Sequence, residues 1–178
     1  MAVLQVTLSW FTARDRRLMV RVNHWRPPRW LRVWMLAATR AGDGWLWCVL
    51  GLVVALYGGP QRLHALVAAI LAAAAGAALF VSLKHAFRRE RPCELEPHCW
   101  ADLLPPDQFS FPSGHTITAF AVAISLGGFY PEMLPGLVFC AISIAASRIV
   151  LGMHFLSDVL AGATLGTFLG AAFAALIP

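Results

Sequence analysis

The chain has 178 residues, of which 59% are hydrophobic and 13% charged, with a formal net charge of +5. Soluble domains carry about 25% charged residues, so this composition excludes an ordinary soluble protein, and the length allows a single domain spanning 1–178. The positive balance calls for no nucleic-acid partner, because basic residues beside apolar runs are explained by anionic lipid headgroups.

Residues 1–42 read as an interfacial N-terminal region. Met1 to Ala13 is too short to span a bilayer, is closed by Asp15, and lacks the basic start and cleavage site of a signal peptide. Arg14, Arg16, Arg17, Arg21, Arg26, Arg29, Arg32 and Arg40 then mingle with Trp10, Trp25, Trp30 and Trp34. Arginine and tryptophan interleaved with Leu, Val and Met predict one or two helices lying in the membrane interface, broken at Pro27-Pro28.

Residues 43–178 read as a helix-bundle core. A spanning helix needs about 20 apolar residues. The runs 43–59, 65–83, 115–130, 134–151 and 157–177 predict five spans, the first and third extended by flanking residues. The expected fold class is therefore all-α, an integral membrane bundle in which each helix satisfies its own backbone. Gly162, Gly166 and Gly170, spaced by four in the last span, predict close helix packing and no chemistry. Two connections are short, Gly58 to Arg62 and Tyr130 to Pro135, whereas 84–114 is long and rich in Pro and charge. Loops of that length usually serve function or are disordered. Five spans put the N-terminal region, this loop and the 152–157 connection on one side of the membrane, and every candidate polar motif falls there.

Three clusters carry the candidate chemistry. The first is Lys84, six residues, then Arg91-Pro92. The second, Phe111-Pro112-Ser113-Gly114-His115-Thr116, opens the third span. The third is Ser147-Arg148, five residues, His154, three residues, Asp158. Taken singly, Lys84 and Arg91 read as membrane-edge charges, Ser113 as a helix cap and His154 as a polar residue satisfied inside the bundle. Taken together they point to an anion pocket. Lys84, Arg91 and Arg148 would repel one another without an anion between them, and a tetrahedral phosphate fits. Ser113-Gly114 at a helix start offers unpaired N–H groups and close backbone approach. If the last helix begins early enough, Asp158 shares a face with His154 and orients it as a base or nucleophile; His115 is then available as an acid. A His-Asp pair can also share zinc, but three nearby cations oppose a divalent ion. No metal and no cofactor are expected.

These three motifs, matched without gap or substitution, resemble the type-2 phosphatidic acid phosphatase superfamily, lipid phosphate phosphatases with a vanadium haloperoxidase-like site. The resemblance implies that His154 attacks phosphorus to form a phosphohistidine, that Asp158 orients and charge-stabilises it, and that His115 protonates the leaving oxygen and then activates water. It implies that Lys84, Arg91, Ser113, Gly114 and Arg148 hold the phosphoryl oxygens. Many bacterial relatives have six spans, and this chain shows five.

The expected partners are membrane lipids and a lipid phosphate substrate: phosphatidic acid, phosphatidylglycerol phosphate or a polyprenyl diphosphate. Lipid-to-lipid phosphotransfer and non-catalytic binding of anionic lipids are the competing readings. The oligomeric state is open. A bacterial inner membrane is the expected location. Of the fourteen Lys and Arg residues only Arg62 lies away from the site side, which favours a cytoplasmic site by the positive-inside rule. Cys93 and Cys99 on the long loop read either as two free thiols or as a disulfide, which would imply an oxidising compartment and favour the opposite, periplasmic face; a metal site with His98 is the sparser alternative. Trp100, Leu103 and Leu104 would make that loop a lid or anchor. Cys48 and Cys140 read as packing residues within spans.

Overall fold

The computed structural model describes residues 13–22, 24, 25, 27–92 and 108–177. The predicted features on Cys93, His98, Cys99, Trp100, Leu103 and Leu104 lie outside the described residues. Residues 13–22 are helical, and the chain is out of helix at Trp25, Pro27 and Pro28. Pro28, extended at φ −61° and ψ 152°, starts α1, Arg29–Arg40. Five further helices follow: α2 Leu46–Tyr57, α3 Arg62–Phe87, α4 Gly114–Phe129, α5 Leu134–Val150 and α6 Leu156–Leu176.

The boundary expected at residue 42 is the main departure. A widened helical turn, Ala41–Trp45, joins α1 to α2 with a kink at Gly44, whose φ is 116°. Glycine adopts that conformation without the steric cost borne by other residues, and single widened turns of this kind concentrate at functional sites. α1 is thus the first part of a kinked 29-residue helical run, Arg29–Tyr57. Trp30, Val33 and Trp34 are exposed on α1, as an interfacial helix requires, while Met35 packs with Leu151 and Met153 beneath it. Its inner face therefore covers the connection between α5 and α6.

Four helical stretches are long and apolar enough to cross a membrane, Arg29–Tyr57, Gly59–Phe87, Pro131–Val150 and Leu156–Leu176, and α4 is a shorter apolar helix. At 1.5 Å per residue α4 is only about 24 Å long. It can be short because it is central, burying Ile117, Ala119, Ala121, Ala123 and Leu126 against its neighbours. Small residues let the backbones approach, since helices in lipid gain cohesion from packing rather than from leaving water. Ala65, Ala68 and Ala72 of α3 are fully buried. On α6, a Cβ at Gly162, Gly166 or Gly170 would run into the carbonyl oxygens of Ser113, Ile117 and Ala121 on α4. At the end away from the polar motifs, Tyr130 Oη donates to Gly58 O at 2.8 Å, tying the two short connections together. Cys48 faces outward and does not pack.

Candidate active site

Each motif supplies an element end. The last turn of α3 holds Lys84, which is buried with its Nζ 4.4 Å from the Phe80 ring centroid. The helix stops at Arg88, which takes the left-handed conformation at φ 45°. The chain beyond is extended. Glu90 bridges Phe109 in antiparallel fashion, and Ser110 N–H donates to Arg89 O at 2.7 Å. Side chains alternate along extended backbone, so Arg89 and Arg91 turn inward and Glu90 outward.

That alternation turns Arg89 into the protein instead of leaving it as a charge at the membrane edge. Its Nη1 donates to Asp158 Oδ1 and Ser157 Oγ, both at 2.6 Å, and its Nη2 to Asp15 Oδ2 at 2.8 Å. The guanidinium also lies 4.1 Å from the Phe155 ring centroid. Asp15 receives Ser157 Oγ as well. The N-terminal helical segment is thereby fastened to the start of α6.

The third motif is built differently from its expected form. α6 begins at Leu156, so His154 precedes the helix and shares no helical face with Asp158. Asp158 caps the helix instead, its Oδ2 accepting the Phe155 N–H at 2.8 Å. The histidine is held by backbone: Met153 and His154 N–H both donate to Arg148 O at 3.0 Å. Its Nδ1 lies 2.7 Å from Ser110 O and 3.7 Å from Asp158 Oδ2. A carbonyl only accepts, so Nδ1 carries the hydrogen and Nε2 keeps its lone pair. Arg91 Nη1 donates to Met153 O at 2.7 Å and lies 3.3 Å from His154 Nε2. Burial pushes His154 down to about 4, helped by Arg148 and Arg91 and opposed in part by Asp158. The imidazole is therefore neutral at physiological pH, the form a nucleophile needs.

The second motif places Ser113 at the start of α4 without a side-chain cap; its Oγ accepts from Thr116 Oγ1 at 2.9 Å and its N–H donates to Asp158 O at 3.1 Å. His115 Nε2 pairs with Asp43 Oδ1 at 2.8 Å. At the end of α5, Arg148 Nη1 donates to Thr39 Oγ1 at 2.6 Å.

These elements enclose one cavity of about 360 Å³. Lys84, Arg91, Gly114, His115, Arg148 and His154 line it, with Gly42, Asp43, Gly44, Ala77, Phe80 and Thr118. Ser113 and Asp158 are fully buried but do not reach the wall. Sequence reasoning missed Asp43, Thr39, Ser110 and Arg89. Only Asp43 left a readable signal, a carboxylate between two glycines at the head of an apolar run. Ionisable groups in that setting are costly and suspect by default. Among the described residues no three His, Cys, Asp or Glu side chains converge as a metal-binding group.

The sequence pattern of the PAP2 superfamily matches residues 65–178. The decaprenylphosphoryl-5-phosphoribose phosphatase of Mycobacterium tuberculosis is 35% identical over 127 residues, covering 70% of each chain. The crystal structure of Aquifex aeolicus LpxE superposes with a TM-score of 0.72 at 29% identity, covering 88% of this chain and 92% of that one. A PAP2-type phosphatidylglycerolphosphate phosphatase from Bacillus subtilis gives 0.71 at 24% identity over 93% and 85%, a likeness of fold alone.

Proposed function

The chain belongs to the PAP2 superfamily and is an integral membrane phosphatase, and from that premise we propose that it hydrolyses a lipid phosphate through a phosphohistidine on His154. The observation that carries this reading is the convergence of Lys84, Arg91, His115, Arg148 and His154 on one cavity.

In the first step the lone pair of His154 Nε2 attacks phosphorus. The bond to the ester oxygen breaks on the opposite side, and His115 gives that oxygen its proton. Lys84, Arg91, Arg148 and the Gly114 N–H hold the equatorial oxygens, where phosphoryl transfer spreads its charge. The phosphorylated ring is cationic. Ser110 O accepts its Nδ1 hydrogen, and the Asp158 carboxylate, paired with Arg89, stabilises the charge from 3.7 Å. In the second step His115 takes a proton from water, the hydroxyl attacks phosphorus, and the bond to Nε2 breaks to release phosphate. Ser113 acts through the helix start, since its side chain is turned to Thr116.

The substrate class is a lipid whose phosphate reaches the membrane end of the bundle while its tails remain in the bilayer. Phosphatidic acid, phosphatidylglycerol phosphate, polyprenyl diphosphate and prenyl-linked sugar phosphates belong to it. Among the described residues Arg62 is the one Lys or Arg at the far end, and by the positive-inside rule this supports a site on the cytoplasmic face of a bacterial inner membrane. The test is phosphate release from a panel of these lipids by detergent-purified protein in EDTA. Release is expected, with inhibition by vanadate, a mimic of five-coordinate phosphorus. Loss of activity in EDTA would overturn the metal-independent mechanism, and full activity of His154→Ala would overturn the nucleophile.

A further inference from the structure

We propose that Asp43 is a positioning residue for the leaving-group acid, holding His115 through Nε2 so that the proton exchanged with substrate is the one on Nδ1. This rests on the reading of His115 as that acid.

Three observations on the α1–α2 kink carry the inference. Asp43 Oδ1 lies 2.8 Å from His115 Nε2 and is the hydrogen-bond partner the structure gives this ring. A Cβ at Gly42 would stand 2.9 Å from Ile144 Cγ2 and 3.1 Å from His115 Cδ2, so only glycine lets this backbone press so closely on the imidazole. Gly44, at φ 116°, sets the kink that turns the chain from α1 into α2 directly after Asp43. A membrane span needs none of these features, and together they cost conformational freedom.

A carboxylate accepts hydrogen bonds and donates none, so Nε2 carries a hydrogen whenever the pair is formed. Around the ring stand Arg148 from α5, Lys84 and Arg91 from the first motif, and the neutral His154. Asp43 is the anion that lines this cavity with them. As the bond from His154 Nε2 to phosphorus forms, the bond to the leaving oxygen breaks and its electron pair takes the Nδ1 proton of the His115 imidazolium. His115 is left neutral, its Nε2–H still on Asp43. As water then attacks phosphorus, its proton returns to Nδ1 and the electron pair of the P–N bond returns to His154. Asp43 keeps its hydrogen bond to Nε2 throughout, orienting the ring and stabilising its cationic form, as the aspartate of a serine-hydrolase triad does for its histidine.

The experiment compares Asp43→Asn and Asp43→Glu with the unsubstituted full-length chain, purified in detergent. Two substrates are used: phosphatidic acid, whose alkoxide must be protonated as it leaves, and 4-nitrophenyl phosphate, whose leaving group needs little help. Asp43→Asn is nearly isosteric and is expected to keep the fold. On phosphatidic acid its kcat should fall roughly 10- to 100-fold, up to the lower end of what general-acid catalysis supplies because the acid itself remains, while kcat on the aryl ester falls less than about threefold. Asp43→Glu should recover part of the loss. Equal losses on the two substrates, no loss on phosphatidic acid, or a change confined to KM would overturn the assignment. Absence of turnover by the unsubstituted chain would instead overturn the phosphatase reading beneath it, so the two failures are distinguishable.

Discussion

The two histidines of the cavity are held in opposite ways. His154 is 2% exposed and gripped by backbone: its N–H on Arg148 O, its Nδ1 on Ser110 O, and the neighbouring Met153 O on Arg91. His115 has a side chain 22% exposed and is held by one carboxylate, itself 49% exposed, on a glycine-flanked kink. A nucleophile, the role proposed for His154, must not move while its target changes, and two backbone carbonyls and the Arg91 guanidinium provide that rigidity. In the proposed mechanism His115 serves leaving groups of different shape, and a single side-chain contact on a glycine-flanked turn is suited to that. The lesson is that one site can be rigid on its attacking side and adaptable on its leaving side, with the difference encoded in what holds each imidazole.

Substitutions sharpen the comparison by their substrate dependence. His154→Ala should give the largest effect, a loss of kcat of about 10⁴-fold or more on every substrate, because the residual rate no longer passes through the covalent intermediate. Arg148→Lys should cost roughly 100-fold in kcat/KM, since an ammonium can neither reach Thr39 Oγ1 in the same geometry nor form a planar fork on phosphate. Arg89→Leu leaves the Asp158 carboxylate buried without its cation and releases Asp15. We expect roughly tenfold lower kcat with unchanged leaving-group preference, and a cost of about 2–3 kcal/mol in denaturation, reduced from the fully buried case because Arg89 is partly exposed. If Arg89→Leu changed the ratio of aryl to alkyl turnover, the division between the two halves would fail.

Acidity probes the rigid half. Because His154 is pushed down to about 4, the acid limb of kcat/KM due to the nucleophile should lie near pH 4, against about 6.5 for an ordinary imidazole. The same depression makes the unfolded chain the better proton binder between these values. The stability owed to a neutral His154 is thus complete above about pH 6.5 and lost as pH falls towards about 4. Thermal melts of His154→Gln should lack that part of the acid sensitivity. The smallest effect concerns sidedness. Gln61→Cys, in a chain otherwise free of cysteine, should be labelled from outside intact cells by an impermeant thiol reagent if the site faces the cytoplasm.

Much of this was readable from residues. The last four apolar runs become helices ending within a few residues of their expected limits, because long apolar stretches bounded by polar residues suit a bilayer, whereas the first becomes the later half of the kinked run Arg29–Tyr57. The cations and histidines of the three motifs were readable as one group because a bundle brings element ends together at one membrane face. What escaped depended on where helices stop. Arg88 ends α3 in a left-handed turn, and only then do Arg89 and Arg91 face the same way. Phe155 delays α6, so Asp158 caps a helix and a backbone carbonyl, to which any residue type could contribute, takes over the histidine Nδ1. Thr39 and Asp43 reach the site only because Gly44 kinks a helix that composition alone divides into an interfacial half and a spanning half.

The central claim, that His154 attacks phosphorus, is tested most directly by rapid acid-free quenching of the enzyme during turnover of a lipid bearing radiolabelled phosphate. The account predicts base-stable, acid-labile label on the peptide containing His154, formed and lost at rates compatible with turnover and missing in His154→Ala. Label on His115 or another residue, or steady turnover by His154→Ala, would contradict it.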